Sequence, residues 1–96
     1  MTRADIAANI AVETGLSRED SLKAVEAFMQ TVNYSLMNEE SVYLRGFGTF
    51  SLLLKKEKMG RNILANTPMV IPAHYTVRFV PSLEMKKLIK EIKVKL

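Results

Sequence analysis

The chain contains no cysteine and no tryptophan, one histidine, four glycines and three prolines in 96 residues. Without cysteine there is no disulfide framework, no thiolate-held zinc and no thiol nucleophile. A single histidine cannot supply a multi-histidine metal cage. We therefore expect no metal, no cofactor, no catalytic residue and no small-molecule substrate. No apolar run approaches the ~18–20 residues needed to cross a bilayer. The opening Met1-Thr2-Arg3-Ala4-Asp5 has no apolar stretch fit for a signal peptide. A small cytoplasmic protein is the expectation.

What is present points to a globule: 48% hydrophobic and 25% charged residues argue against wholesale disorder. The length suits one domain spanning 1–96. The net charge of +4 hides a segregation. Residues 1–40 carry Arg3, Arg18 and Lys23 against seven carboxylates, a net of −4. Residues 41–96 carry eleven cations against Glu57, Glu84 and Glu91, a net of +8. Such asymmetry suits a polyanion or an anionic membrane as partner.

The acidic third reads as a helix pair over about 2–38. Thr2-x-x-Asp5 fits a capping box. Ile6, Ile10 and Val12 outline an apolar face, and Gly15 can stop the helix in the left-handed conformation. Ser17-x-x-Asp20 opens a second helix, whose Leu22, Val25, Phe28, Met29, Val32 and Leu36 follow the 3.6-residue period. Asn38-Glu39-Glu40 ends it.

From residue 41 to about 80 the pattern is β. Val42-Tyr43-Leu44 and Thr49 to Leu54 are strands around the turn Arg45-Gly46-Phe47-Gly48. The chain then becomes lysine-rich through Lys55, Lys56 and Lys58 and returns as Met69 to Val80. Ala65-Asn66-Thr67-Pro68 reads as the intervening turn, with Asn66 able to take a positive φ. Pro72 demotes the returning run to an edge or a bulge. A lysine-rich ribbon paired to a proline-bearing strand is most simply an arm. A last helix over about 82–95 carries Leu83, Met85, Leu88, Ile89, Ile92 and Leu96 on one side and Lys86, Lys87, Lys90 and Lys93 on the other. The expected class is α+β: an N-terminal helix pair, a three-stranded antiparallel sheet with a protruding ribbon, and a C-terminal helix.

A β-ribbon can enter a DNA groove with its cations toward the phosphates. Arg61 and Asn62, beside the tip, suit the acceptor-lined minor groove of A·T-rich DNA. Ile63 follows at once. Either it is exposed there for insertion between base pairs, or it packs against Leu64 or Met69 across the ribbon.

Gly46-Phe47-Gly48-Thr49-Phe50, Gly60-Arg61-Asn62, Ile71-Pro72-Ala73 and Phe79-x-Pro81 together resemble the signature of the bacterial HU and integration host factor family. Thr14-Gly15-Leu16-Ser17 also fits, and the match is colinear from about Thr2 to about Leu88. The resemblance implies an intertwined dimer, of two identical chains or of this chain with a paralogue, whose arms wrap the minor groove of double-stranded DNA and bend it in the bacterial nucleoid. Carried over position by position, it implies contacts from Arg3, Arg45, Gly60, Arg61, Asn62 and Lys86, while Lys55, Lys56 and Lys58 are expected to reach DNA as the cations of the ribbon itself. Ile63 stands where the family usually has a wedging proline, and Ala65-Asn66 where it has Thr-Gly. Val80 and Leu83 stand where many members carry cations. Arg78, on the same strand face as Val80 and about 6–7 Å from it by strand rise, is expected to take over the phosphate contact.

A nonspecific HU-like binder and a site-specific integration-host-factor-like subunit share these motifs. A membrane-surface reading rests on residues 83–96 as a basic amphipathic helix, and it ignores the ribbon. Dimerisation has its own argument. With about twenty residues in an arm, about 75 remain for the body, where a single core is marginal.

Overall fold

A computed structural model describes residues 1–95; the side chain of Asn62 and the whole of Leu96, the last position of the expected apolar stripe, lie outside the described residues. The chain forms two compact units, residues 1–38 and 39–96.

The first unit is a helix pair, α1 (Arg3–Thr14) and α2 (Arg18–Met37). Thr2 caps α1 reciprocally. Its hydroxyl accepts from the Asp5 N–H at 3.3 Å, while its own N–H donates to Asp5 Oδ2 at 2.8 Å. The backbone and hydroxyl donors of Thr2 hold the Asp5 carboxyl below the usual carboxylate range. Gly15 ends α1 at φ 78°, where a side chain would be strained. Ser17 Oγ accepts from the Asp20 N–H at 3.0 Å to start α2. At the other end Asn38 Nδ2 donates to the Tyr34 carbonyl at 3.0 Å.

Ala7 and Ser21 are buried in this pair, and Ser21 Oγ donates to the Ser17 carbonyl at 2.8 Å. Small side chains at these positions let two helices approach closely. Val25 and Val32 complete the buried set, whereas Ile6, Phe28 and Met29 remain partly exposed. Val12, expected on the apolar face of α1, is exposed. It is two residues from Ile10, about 200° around a helix, and so lies off the Ile6–Ile10 stripe.

The second unit contains a sheet of order β1-β2-β5, built from β1 (Val42–Leu44), β2 (Gly48–Lys55) and β5 (His74–Pro81). A separate two-stranded ribbon, β3 (Lys58–Asn62) with β4 (Thr67–Ile71), lies between β2 and β5 in the chain. All pairings are antiparallel. The Leu44–Phe47 turn closes with the Phe47 N–H on the Leu44 carbonyl at 2.9 Å. Gly46, at φ 83°, takes the conformation that the third residue of a type II turn demands. Phe47 also ties the turn to the last helix, its carbonyl accepting from the Ser82 N–H at 2.8 Å.

The returning strand is not continuous. It breaks at Pro72 and Ala73, and the outgoing one breaks at Lys56 and Glu57. The ribbon's turn is Ile63 to Asn66, with Asn66 at φ 50° as its residue type suggests. Thr67 and Pro68, expected in the turn, belong to β4. A two-stranded ribbon leaves every strand with an open edge, so a proline is tolerated there.

The last helix, α3, spans Leu83–Lys90, shorter than the expected 82–95. Ser82 Oγ caps it by accepting from the Met85 N–H at 3.0 Å. Beyond Lys90, among the described residues, the Glu91 N–H bonds to the Leu88 and Ile89 carbonyls and the Ile92 N–H to the Ile89 carbonyl. Lys90, Lys93 and Lys95 crowd like charge there, and Ile92 and Val94 are β-branched. At eight residues α3 is about 12 Å long. That leaves eight of the fourteen residues of the amphipathic helix on which the membrane-surface reading rested. Among the described residues no helix is long and apolar enough to cross a membrane.

Candidate nucleic-acid interface

Strand alternation sorts the three-stranded sheet into two chemically different faces. Pairing Phe50 with Phe79, Leu52 with Val77 and Leu54 with Tyr75 gathers one apolar face, to which Val42 and Leu44 add from β1. Phe79 is its centre, with the ring of Phe50 at 4.8 Å and that of Phe47 at 5.5 Å between centroids. These distances lie in the range of favourable aromatic pairs. The opposite face carries Tyr43, Thr49 and Val80 in one row, then Ser51 with Arg78, Leu53 with Thr76, and Lys55 with His74.

That second face carries both of the sequence-predicted cations Lys55 and Arg78. They lie four residues apart along the sheet, on a surface otherwise rich in hydroxyls. Both are exposed, as donors for a polyanion must be. Tyr43 and His74 share the face. Only the register reveals them, because neither sits in a recognisable motif. Tyr43 is 74% exposed although it stands in the sheet.

The ribbon distributes its cations over both of its faces. Lys58 and Arg61 are three residues apart in one strand, so they point to opposite faces. Lys58 shares its face with Gly60, Met69 and Ile71, and Arg61 shares its face with Met59, Pro68 and Val70. Gly60 leaves room for Ile71, whose Cδ1 would be 3.0 Å from a Cβ placed there. Lys56 belongs to neither ladder, lying in the break before β3. Asn62 closes β3 opposite Thr67.

At the tip, Ile63 is 89% and Leu64 100% exposed. Of the two alternatives for Ile63, packing across the ribbon is not what is observed. Arg45 occupies the exposed corner of the Leu44–Phe47 turn. Lys86 is exposed on α3, its N–H donating to the Ser82 carbonyl at 3.0 Å. Arg3 is the exposed first residue of α1.

The apolar face lacks a cover within its own unit. Val77, Tyr75 and Leu54 are more than half exposed. Beside them an open hollow of about 710 Å³ is lined by Phe79, Pro81, Leu83, Met85 and Ile89 and rimmed by Lys86, Lys87 and Lys90. Among the described residues no group of His, Cys, Asp and Glu could hold a metal ion. The arrangement offers charge, hydroxyl donors and an exposed apolar tip, a combination suited to gripping a phosphate polymer.

Comparison with known proteins agrees with this chemistry. Residues 1–90 match the family described as bacterial DNA-binding protein. The integration host factor alpha subunit of Vibrio atlanticus is 37% identical over 94 residues, 98% of this chain and 96% of that protein. The corresponding subunit of Proteus mirabilis is 37% identical over 90 residues, 94% and 92% of the two chains. Among solved structures, Anabaena HU in a cocrystal with DNA aligns over 96% of this chain and all of that one, at 22% identity and a TM-score of 0.92. An HU variant from Thermotoga maritima aligns over 93% of this chain and 99% of that one, at 16% identity and a TM-score of 0.68. With its fold, its ribbon and its sequence in agreement, the chain belongs to the bacterial DNA-binding protein family that includes HU and integration host factor.

Proposed function

We propose that this protein is a nucleoid-associated DNA-bending protein that acts as a dimer in the bacterial cytoplasm, binding duplex DNA with low sequence selectivity and without catalysis. One observation carries the reading. The ribbon ends in an almost fully exposed Ile63, directly after Arg61 and Asn62. An apolar side chain held in water at the end of an arm gains free energy when it enters a base stack, and Ile is among the residues used that way. Cations on both ribbon faces suit a groove, which has a phosphate wall on either side. Lys55, Lys56 and Arg78 then hold the backbone nearer the body. Arg3, Arg45 and Lys86 bind flanking phosphates.

Dimerisation follows from the uncovered apolar surface. Ala7, Val25 and Val32 are the buried apolar residues among those described, too few for a stable single-chain core. A second copy, or a paralogous chain, intertwined over the Phe50–Phe79 face would bury it and double the charge. Equilibrium sedimentation is expected to give a dimer at micromolar concentration; a folded monomer there would contradict this.

Binding is expected to weaken by ~10³–10⁵-fold between 50 and 200 mM salt if ~6–10 phosphates are neutralised. Salt-insensitive binding would rule out the electrostatic grip. A site-specific mode is the second reading, favoured by the 37% identity to integration host factor alpha subunits. Selection of bound fragments from random genomic DNA separates the two. A diffuse A·T bias is expected, and a sharp consensus would establish the site-specific mode.

A further inference from the structure

His74 is the chain's one histidine, and it stands directly opposite Lys55 on the hydroxyl-rich face of the sheet, at the last rung before the ribbon begins. Directly opposed residues in an antiparallel pair have Cβ atoms about 4.5–5.5 Å apart. The two side chains therefore rise side by side, and both are exposed. The imidazole is also anchored: Nδ1 lies 3.0 Å from the Pro72 carbonyl oxygen. A carbonyl has no proton to give, so Nδ1 must be the donor. In the neutral ring that leaves Nε2 as a bare lone pair. A phosphate oxygen is also an acceptor, so neutral His74 has nothing to offer it. The imidazolium, with Nε2–H, does.

We propose that His74 and Lys55 form a phosphate-binding pair at the root of the arm, and that the His74 contact forms only with uptake of a proton as DNA binds. The inference rests on the DNA-binding reading above and adds a ligand that the motifs do not contain. The charged groups facing the imidazole are few. Lys55 lies across the rung on β2, Lys56 and Glu57 follow it in the break, and Lys58 begins β3. Along β5 the same face continues with Thr76 and then Arg78. No carboxylate shares the sheet face with His74, so the incoming phosphate is the anion that stabilises its charge.

The test measures affinity for a 30-base-pair duplex by fluorescence anisotropy at pH 5.5 and 7.5, across a salt series. Duplex phosphates keep their charge over this range. Binding is expected to be roughly three- to fivefold tighter at pH 5.5, the scale of one exposed charged contact. The log–log salt slope should steepen by about 0.9 for each His74 engaged. His74→Gln is expected to abolish both pH effects, and His74→Arg to give at pH 7.5 the affinity of the unmodified protein at pH 5.5. Persistence of the pH dependence in His74→Gln would assign it to a group other than His74 and overturn the proposal. Equal affinity and slope at both pH values in the unmodified protein would also overturn it. Absence of binding at either pH would instead defeat the DNA-binding reading itself.

Discussion

Gly48 lies against Phe79 so closely that a Cβ on it would be 2.6 Å from the ring's Cζ and 2.6 Å from the Val80 carbonyl oxygen. The two glycines of the Gly46-Phe47-Gly48 turn thus have separate reasons to exist. Gly46 supplies a positive φ, and Gly48 leaves the space that the Phe47–Phe50–Phe79 cluster occupies. Because one obstruction is backbone, relaxation must move a strand. Gly48→Ala is expected to cost about 1–3 kcal/mol, read as a lower denaturant midpoint at fixed protein concentration. Stability equal to the parent would mean that the cluster repacks freely.

Arg78→Ala should flatten the salt dependence of DNA binding by about 0.9 in log–log slope for each contact removed. Arg78 faces the same way as Lys55 and is exposed, so folding should survive the change. An unchanged slope would withdraw Arg78 from the phosphate contacts.

Ile63→Ala separates bending from binding. End-to-end energy transfer on a labelled duplex should report less bending, while affinity, carried mostly by the cations, falls less. Equal bending would mean that the apolar tip does not wedge.

Asp5 gives a pH prediction with a definite sign. Thr2 donors lower its carboxyl pKa in the folded chain. Its contribution is therefore present above the unfolded value of about 3.9 and disappears as pH falls through the lower folded value. Asp5→Asn should be less stable than the parent in urea melts at pH 7, and the gap should close towards pH 3. A gap of the same size at pH 3 would show that the ionised carboxylate is not what stabilises the cap.

Much of this was legible in local chemistry. Thr2 with Asp5, Gly15, Ser17, Gly46 and Asn66 each do what their residue types favour at a cap or turn. What stayed hidden depends on pairing. Lys58 lies opposite Ile71 and Arg61 opposite Pro68 across the ribbon, and His74 meets Lys55 because of a register eight rungs long. Neither follows from a motif. The end of α3 was also hidden, since the apolar period continues to Ile92 while crowded lysines and β-branched residues oppose the helix. Pro68 misled in the other direction. It reads as a turn residue, yet a ribbon with two open edges accepts it.

The paired interruptions at Lys56–Glu57 and Pro72–Ala73 have a mechanical meaning. The sheet's ladder ends at Lys55–His74 and resumes at Lys58–Ile71, so both strands lose their cross-links at the same level. Stiffness in a ribbon comes from continuous cross-linking, and a simultaneous gap concentrates compliance at one height, as a knuckle does in a finger. The outer segment can then tilt as one piece while its own register stays intact. If Ile63 wedges as proposed, a gripping device jointed in this way would follow the curvature of the duplex it holds, and the final bend would be negotiated between DNA stiffness and the tip.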